Sequence, residues 1–302
     1  MTGPRIYKSP AAFKVALEDR LRRRATERHV MVNRTRQRFV MERFLARAAD
    51  AFGDAVTLKG GLAMELRFAN ARSTKDIDLR ATGDLDGVFV RLREAAVIDL
   101  GDHLAFTVEP DAEHPDIDEA IYGGRRFRAA AQLAGQAYGS PFGIDVGMGD
   151  PMSGERDLLV GEDFLGFIGV APMRVAVYPM ATHIAEKLHA YTRPSRLPGR
   201  ENSRVRDLPD LAILSGARSF TSVELRSALR TTFSFRATHA VPSEVPPPPA
   251  SWDRPYRTLA SENALPWPAV RDVHAIVAAF LDPVLGGRDG RWKPNDGVWS
   301  ED

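Results

Sequence analysis

Two aspartates separated by a single residue, Asp76 and Asp78, have the spacing in this sequence that most directly suggests chemistry. The apolar residues Ile77 and Leu79 alternate with them. In an extended strand, side chains alternate between the two faces, so both carboxylates project to one side about 6–7 Å apart along the strand. Carboxylate oxygens at that separation suit a hard divalent cation such as Mg²⁺.

A pair of glycines precedes the aspartates. The run Lys59-Gly60-Gly61 follows the apolar residues 55–58 and opens a short stretch of helical composition. Glycines let a phosphate approach the backbone, and the N-terminus of the following helix favours an anion. A phosphate-binding turn beside a carboxylate pair that can bind metal favours nucleotidyl transfer as the chemistry.

The same chemistry needs further carboxylates and a cation, which the sequence offers downstream. Asp145 lies between glycines on an otherwise apolar strand and is predicted to be a third metal ligand at a cleft edge; the alternative is a strand-end carboxylate that caps a backbone group. Lys187 supplies a cation on a helix, with a solvent-exposed lysine as the alternative. A later carboxylate would come from Asp207 or Asp210, one of which helix capping explains.

Short elements must position these residues. Residues 55–80 are predicted to form a strand, a tight glycine turn, a short helix and a second strand, and residues 142–148 to form another strand. The proline-rich residues 242–255 are predicted to be an extended linker, and the tail from Gly286 is predicted to be mobile. Helices are expected at about residues 11–24, 33–51, 86–97, 180–191, 221–232 and 270–281.

The composition is that of an ordinary globular chain. Of 302 residues, 44% are hydrophobic and 27% are charged, and no apolar stretch reaches the roughly 18–20 residues of a membrane span. There is no cysteine, which excludes disulfides, thiolate catalysis and cysteine-bound zinc. No apolar region of a secretory signal is visible at the N-terminus, so a cytoplasmic location is expected.

Charge is distributed unevenly, although the formal net charge is only +1. Residues 1–50 contain 13 Lys or Arg and 5 Asp or Glu. This excess predicts either a basic arm that binds nucleic acid or a solvated, arginine-rich helical face. A polar loop rich in Pro and Gly carries Arg193, Arg196 and Arg200, which together with the basic arm could bind nucleic acid or another polyanion.

Four motifs together resemble the AbiEii family of nucleotidyltransferases, the toxin components of bacterial AbiE and MenAT-type toxin–antitoxin systems. They are K-G-G-L-A-M-E-L-R and R-S-T-K-D-I-D-L within residues 59–79, E-K-L-H-A-Y at residues 186–191, and R-V-R-D-L-P-D-L at residues 204–211. The resemblance covers roughly residues 11–215. The joint order and spacing of the motifs carry it, because each motif alone is common.

The resemblance assigns the two glycines and the two aspartates to the family's signature, which binds NTP phosphates and Mg²⁺. Thr74 stands where the family often has a hydroxyl beside the aspartates, and it joins Lys59, Gly60 and Gly61 among the expected nucleotide-binding residues. The second glycine is followed by Leu62, where many relatives have Ser or Thr. One side-chain donor to phosphate is therefore missing, and the backbone donors remain.

The resemblance also implies roles for the later motifs. Lys187 would contact the triphosphate, and Asp207 or Asp210 would be the carboxylate of the last motif. The predicted catalytic set therefore consists of these residues and the first pair, Asp76 and Asp78.

The fold that the resemblance implies is a two-lobed α/β fold. Residues 1–178 would form a nucleotidyltransferase lobe with a mixed sheet and basic N-terminal helices, and residues 179–302 a mainly helical lobe. The implied activity is Mg²⁺-dependent transfer of NMP from an NTP to the 3′ end of tRNA, which blocks translation, with a cognate antitoxin as partner. Two alternatives stay open: transfer to a hydroxyl of a small molecule or protein, and a non-catalytic module that binds a nucleotide or a partner.

Overall fold

The computed structural model describes residues 7–117, 123–195 and 199–301, and the chain divides into two compact units. The first unit comprises Met1–Leu66, Ser73–Asp150 and Asp157–Val177. The second comprises Arg67–Arg72, Pro151–Arg156 and Tyr178–Asp302. Two short segments therefore belong to the second unit although they precede residue 178.

The first unit is built on one mixed sheet with helices packed against it. Its helices are α1 Pro10–Glu27, α2 Val32–Phe52, α3 Gly60–Arg67 and α4 Leu85–Val97. Its strands are β1 Val56–Lys59, β2 Asp76–Ala81, β3 Leu104–Pro110, β4 Gly124–Leu133, β5 Gln136–Ala137, β6 Phe142–Met148, β7 Asp157–Val160 and β8 Arg174–Val177.

The sheet has the strand order β3-β4-β6-β2-β1-β8-β7, and β5 pairs with β4. Strand β2 lies at its centre, antiparallel to β1 and parallel to β6. The parallel pair requires a crossover, which α4, β3 and β4 provide along the chain. The predicted α/β class is confirmed. Asp78 on β2 is therefore paired on both sides, with β1 and with β6, whereas Asp76 is paired with β6 and lies beyond the end of β1.

Helix α1 begins where the sequence supplies a cap. The Ser9 hydroxyl accepts a hydrogen bond from the amide of Ala12 at 3.2 Å, and Pro10 is the first helical residue. The side chains that recur every four residues are fully buried, as the periodicity predicts: Phe13, Leu17 and Leu21.

Arginines of the first fifty residues are partly used inside the first unit. Arg43 and Arg47 on α2 reach Asp102 with N–O distances of 2.7 and 2.6 Å, and all three side chains are buried. Burial alone would raise the pKa of Asp102, but Arg47 and Arg43 outweigh it and hold that pKa below its usual value. Both predictions for this segment, a nucleic-acid-binding arm and a solvated face, are wrong for Arg43 and Arg47. The reason is that α2 packs against α1, α4 and the sheet, which covers most of its circumference.

The second unit is mainly helical. Its helices are α5 Met180–Thr192, α6 Asp207–Ser215, α7 Ser222–Arg236, α8 Asp253–Glu262 and α9 Val270–Leu285, and strands β9 Arg291–Lys293 and β10 Val298–Ser300 form an antiparallel hairpin. Residues 242–249, between α7 and α8, contain no helix or strand. The predicted extended linker is wrong for residues 250–255, where a 3-10 helix at Ala250–Trp252 leads into α8 and Trp252 is buried. Across the described ranges of both units, no helix has the length and apolar content needed to cross a membrane.

The chain after Gly286 differs from the mobile tail that was predicted. The β9–β10 hairpin buries Trp292 and Trp299. Their indole nitrogens donate hydrogen bonds to the carbonyl of Ser215 at 2.7 Å and to that of Phe280 at 2.9 Å. Two buried indoles with satisfied donors stabilise a segment that its polar composition alone did not identify.

Candidate active site

The turn between β1 and α3 requires glycine. Gly60 follows Lys59, the last residue of β1, and has a φ of +65°, a conformation that L-residues rarely adopt. A Cβ atom on Gly60 would lie 1.9 Å from Oδ2 of Asp78. The backbone of the turn therefore passes directly against the aspartate, and any side chain at residue 60 would displace it.

The paired aspartates lie on β2, whose alternate residues Ile77 and Leu79 are buried, as the period of two predicts. Asp78 accepts a hydrogen bond from the amide of Gly61 at 3.3 Å. Asp76 accepts one at 3.3 Å from Gly143 on β6, where a Cβ atom would lie 2.6 Å from the Asp76 carboxylate. Gly60 thus lies against Asp78 and Gly143 against Asp76, and the lack of a side chain at both glycines leaves room for the carboxylates.

Thr74 lies beside the same turn. A Cβ atom on Gly61 would lie 2.9 Å from the Thr74 hydroxyl oxygen. The Thr74 amide donates to Oε2 of Glu65 at 3.1 Å, and Glu65 is a buried residue of α3. These contacts fix the Thr74 hydroxyl next to the first turn of α3, where the phosphate-binding turn was predicted.

Four charged residues lie side by side on four adjacent strands. Lys59 on β1 is in register with Asp78 on β2. Asp78 is in register with Asp145 on β6, which is in register with Arg126 on β4. Opposed residues of neighbouring strands project to the same face of a sheet, so these four form one line, the charged row. Its two ends are positive and its centre is negative.

Both ends of the charged row are ion-paired. Arg126 donates from Nε to Oδ1 of Asp145 at 2.7 Å and from Nη2 to Oδ2 at 2.8 Å. At the other end, Nζ of Lys59 lies 2.5 Å from Oδ2 of Asp150, which is buried. Arg80 donates to the backbone carbonyl of Asp150 at 2.5 Å and so supports its position. Lys59, predicted to bind nucleotide, is therefore held by an acidic side chain.

The centre of the charged row carries like charges close together. Burial, and next the charge of Asp145, raise the pKa of Asp78 to about 6, against the lowering effects of Lys59 and the Gly61 amide. A cation beside these carboxylates would remove the repulsion, so the donor set fits a divalent metal ion. That Asp76 and Asp78 hold the ion stays a prediction.

Asp145, the third predicted metal ligand, is already bound by a cationic side chain. Both oxygens of Asp145 accept hydrogen bonds from Arg126. In the described ranges, no three His, Asp or Glu side chains are gathered closely enough to hold a metal ion together. The role of Asp145 as a metal ligand therefore stays a prediction.

The raised pKa of Asp78 predicts a pH dependence of stability in the metal-free protein. Between the ordinary value of 3.8 and about 6, the folded state keeps a proton that the unfolded chain releases. Stability from this group is therefore present at low pH and lost as the pH rises through that window. Urea unfolding at several pH values should show a larger loss in the wild type than in Asp78→Asn. Parallel curves for the two proteins would contradict this assignment.

A second group of predicted site residues meets in the second unit. Lys187 on α5 donates to Asp207 at 3.1 Å and to Asp210 at 2.6 Å, both on α6. Arg72 contacts Asp210 at 3.0 Å and Arg204 contacts Asp207 at 2.9 Å. Lys187 and both aspartates are buried. These five residues form the lysine–aspartate network.

The charges in the lysine–aspartate network stabilise one another. Burial alone would lower the pKa of Lys187, but Asp210 and Asp207 outweigh it and raise that pKa. Burial alone would raise the pKa of Asp210, but Lys187 and Arg72 lower it. The alternative of a solvent-exposed Lys187 is wrong, and so is capping by Asp207. Helix α6 begins at Asp207 itself without a side-chain cap, because the carboxylate is directed to Lys187.

The predicted site residues therefore fall into two groups. The group in the first unit is Lys59, Gly60, Gly61, Thr74, Asp76, Asp78 and Asp145. The group in the second unit is Lys187, Asp207 and Asp210. Of the loop arginines, Arg193 and Arg200 lie in the second unit, and Arg196 lies outside the described residues.

Three residues that contact the first group were not predicted from the sequence: Arg126, Gly143 and Asp150. The run R-R-F-R at residues 125–128 indicated positive charge, but only the register of β4 shows which arginine faces Asp145. Gly143, the first glycine of G-I-D-V-G, is apparent in the sequence, but its contact with Asp76 depends on the pairing of β2 with β6. Asp150 had no local signal.

The mixed α/β fold, with a glycine turn against an aspartate pair, places the chain in the class of nucleotidyltransferases. The family model described as "Nucleotidyl transferase AbiEii toxin, Type IV TA system" matches residues 43–282. The chain belongs to this family of nucleotidyltransferase toxins, so the predicted family and enzyme class are confirmed. Membership in a toxin–antitoxin family implies an NTP substrate and an antitoxin partner, and the family generally uses a divalent metal.

The solved structure of MenT4 agrees with this assignment at the level of the fold. MenT4, a nucleotidyltransferase toxin from Mycobacterium tuberculosis H37Rv, is 17% identical with a TM-score of 0.53; the match covers 87% of this chain and 98% of MenT4. JHP933 from Helicobacter pylori is 14% identical with a TM-score of 0.40, over 81% of this chain and 87% of its own. No curated protein matches the chain in sequence.

Proposed function

We propose that this protein is a Mg²⁺-dependent toxin that transfers a nucleoside monophosphate from an NTP to the 3′ end of tRNA and thereby blocks translation in the cytoplasm. The observation that carries the proposal is the first-unit site. There, glycine backbone lies against two neighbouring carboxylates, and burial, followed by the charge of Asp145, raises the pKa of Asp78 to about 6.

Asp76 and Asp78 would hold Mg²⁺, and Asp145 would complete the site or orient the attacking hydroxyl. When bound, the ion supplies neutralising charge for the phosphates. The amides at the start of α3 donate to phosphate oxygens, and Thr74 adds a hydroxyl beside them. The hydroxyl at the RNA end then attacks the α-phosphorus and pyrophosphate leaves, in a reaction that needs mainly positioning and charge neutralisation.

The lysine–aspartate network has a proposed role within the second unit. Lys187 donates hydrogen bonds to Asp207 and Asp210 in a buried setting, where isolated carboxylates would be costly. Contact of Lys187 with the triphosphate stays a prediction from the family motif, as does the choice between the two aspartates.

RNA as the acceptor is supported by family membership and by charge. Arg22 and Arg23 at the end of α1 are exposed, as is Arg200 in the loop after α5. Exposed arginines bind a phosphate backbone chiefly by charge, so RNA binding should weaken steeply with added salt. A small-molecule or protein hydroxyl is the competing acceptor, and it does not need these arginines.

Label transfer tests the proposal. The protein is incubated with each of the four NTPs labelled at the α-phosphate, with Mg²⁺ and with total tRNA, and the products are separated by size. We expect label in RNA of tRNA size with at least one NTP, and none after chelation of Mg²⁺. Label that appears only in an RNA-free extract would identify the competing acceptor, and no transfer with any NTP would refute the proposal.

A further inference from the structure

We propose that Arg126 is a positioning residue that competes with the metal ion for Asp145. In the nucleotide-free protein its guanidinium neutralises Asp145. When a nucleotide is bound, Arg126 moves its charge to a phosphate and Asp145 becomes available to the cation. This inference rests on the proposed function, because it concerns the same site.

The geometry of the pair supports the competition. Arg126 uses Nε and Nη2 to hold both oxygens of Asp145, at 2.7 and 2.8 Å. A cation bound to those oxygens would stand next to a guanidinium of the same sign, so the two positive groups oppose each other. The second terminal nitrogen, Nη1, has no hydrogen-bond partner within residues 7–117, 123–195 and 199–301. A planar guanidinium with a donor to spare is well suited to a phosphate.

A purely structural ion pair in the same unit looks different. The side chains of Arg47 and Asp102 are 0% exposed, and Arg47 also donates to backbone carbonyls, among them that of Ile98. The side chains of Arg126 and Asp145 are 35% and 23% exposed. A pair that water reaches and that makes no backbone contacts through its guanidinium can be exchanged at low cost.

The charges around the charged row also support competition between Arg126 and the metal ion. Lys59 and Arg126 equal Asp78 and Asp145 in number, but Asp150 pairs with Lys59 and Asp76 adds another carboxylate, so the surroundings of the charged row are acidic. Asp111 and Asp76 also lie close enough to raise the pKa of Arg126, after its hydrogen bonds to Asp145. Arg126 therefore stands at the edge of an acidic site, and its departure toward a phosphate would expose carboxylate charge only when a nucleotide is present to bring in the cation.

Binding of Mn²⁺ alone, followed by electron paramagnetic resonance in the absence of nucleotide, tests the competition. We expect Arg126→Gln to bind Mn²⁺ about two- to fivefold more tightly than the wild type, the range of a part-exposed ion pair. The matched control is Arg128→Gln, which removes the same charge two residues along β4. Arg128 is 66% exposed and lies 4.0 Å from Asp111, so it should leave the affinity unchanged.

Two further comparisons separate competition from a general effect of charge. In an Asp145→Asn background, Arg126→Gln should no longer change Mn²⁺ affinity, because the contested ligand is gone. Binding of a non-hydrolysable NTP with Mg²⁺ should be about tenfold weaker in Arg126→Gln, with partial recovery in Arg126→Lys. Arg126→Lys keeps the charge and guards against a variant that does not fold.

The outcomes distinguish this inference from the proposed function. If wild type and Arg126→Gln bind Mn²⁺ equally, or if the Asp145→Asn background preserves the difference, the competition is overturned while the metal site stands. If Mn²⁺ binds neither protein, or binds Asp78→Asn as well as wild type, the proposed metal site itself fails. Tighter Mn²⁺ binding with weaker nucleotide binding in the same variant supports the inference.

Discussion

Replacement of Asp78 by asparagine is expected to reduce nucleotidyl transfer by at least about a thousandfold, since a bound metal ion contributes several kcal/mol of charge stabilisation in the transition state. Asparagine has nearly the same shape and can still accept the hydrogen bond from Gly61, so the turn should be retained. What is lost is the negative charge at the centre of the charged row. Initial rates of label transfer to tRNA under saturating NTP measure the effect.

The control for Asp78→Asn is a carboxylate of the same unit outside the site. The side chain of Asp86, in the first turn of α4, is 90% exposed and pairs only weakly with Arg125, at 3.3 Å. Asp86→Asn should transfer label at the wild-type rate. Activity of Asp78→Asn within about tenfold of the wild type would mean that this carboxylate does not serve the chemistry.

The second large effect is expected on the free energy of unfolding, when Lys187 of the lysine–aspartate network is replaced. Lys187→Met should lower the free energy of unfolding by about 3 kcal/mol, because it leaves the buried carboxylate of Asp210 without its closest cation. Asp210 is almost fully buried and would keep Arg72, at 3.0 Å, as its cation among the described residues. Urea unfolding at neutral pH measures the loss. The loss should shrink toward low pH, since a carboxyl that has lost its partner takes up a proton more readily.

Lys293→Met is the matched control for this effect. Lys293 is an exposed residue of β9 in the same unit, so its replacement should change stability by no more than about 0.5 kcal/mol. Adding Asp210→Asn to Lys187→Met should restore part of the lost stability, because the stranded charge is removed. A loss below about 1 kcal/mol in Lys187→Met would show that Arg72 and Arg204 suffice to hold the aspartates.

The features of the site that depend on residues close together in the chain could be predicted from the sequence. Alternation along one strand placed Asp76 and Asp78 together, and Gly60 marked the turn because no other residue tolerates both its φ and its contact with Asp78. Repetition every four residues marked the buried face of α1. Each of these conclusions depends on residues only a few positions apart, where backbone geometry leaves few choices.

Contacts between residues far apart in the chain could be identified from the three-dimensional structure alone. The contact of Gly143 with Asp76 and the ion pair of Arg126 with Asp145 follow from strand register, and a shift of one residue would turn those side chains to the other face. Burial of Lys187 follows from packing within the second unit, and that of Arg47 from packing of α2 on the sheet. Local sequence carries no measure of burial for a charged residue, because the partner that permits it comes from elsewhere in the chain.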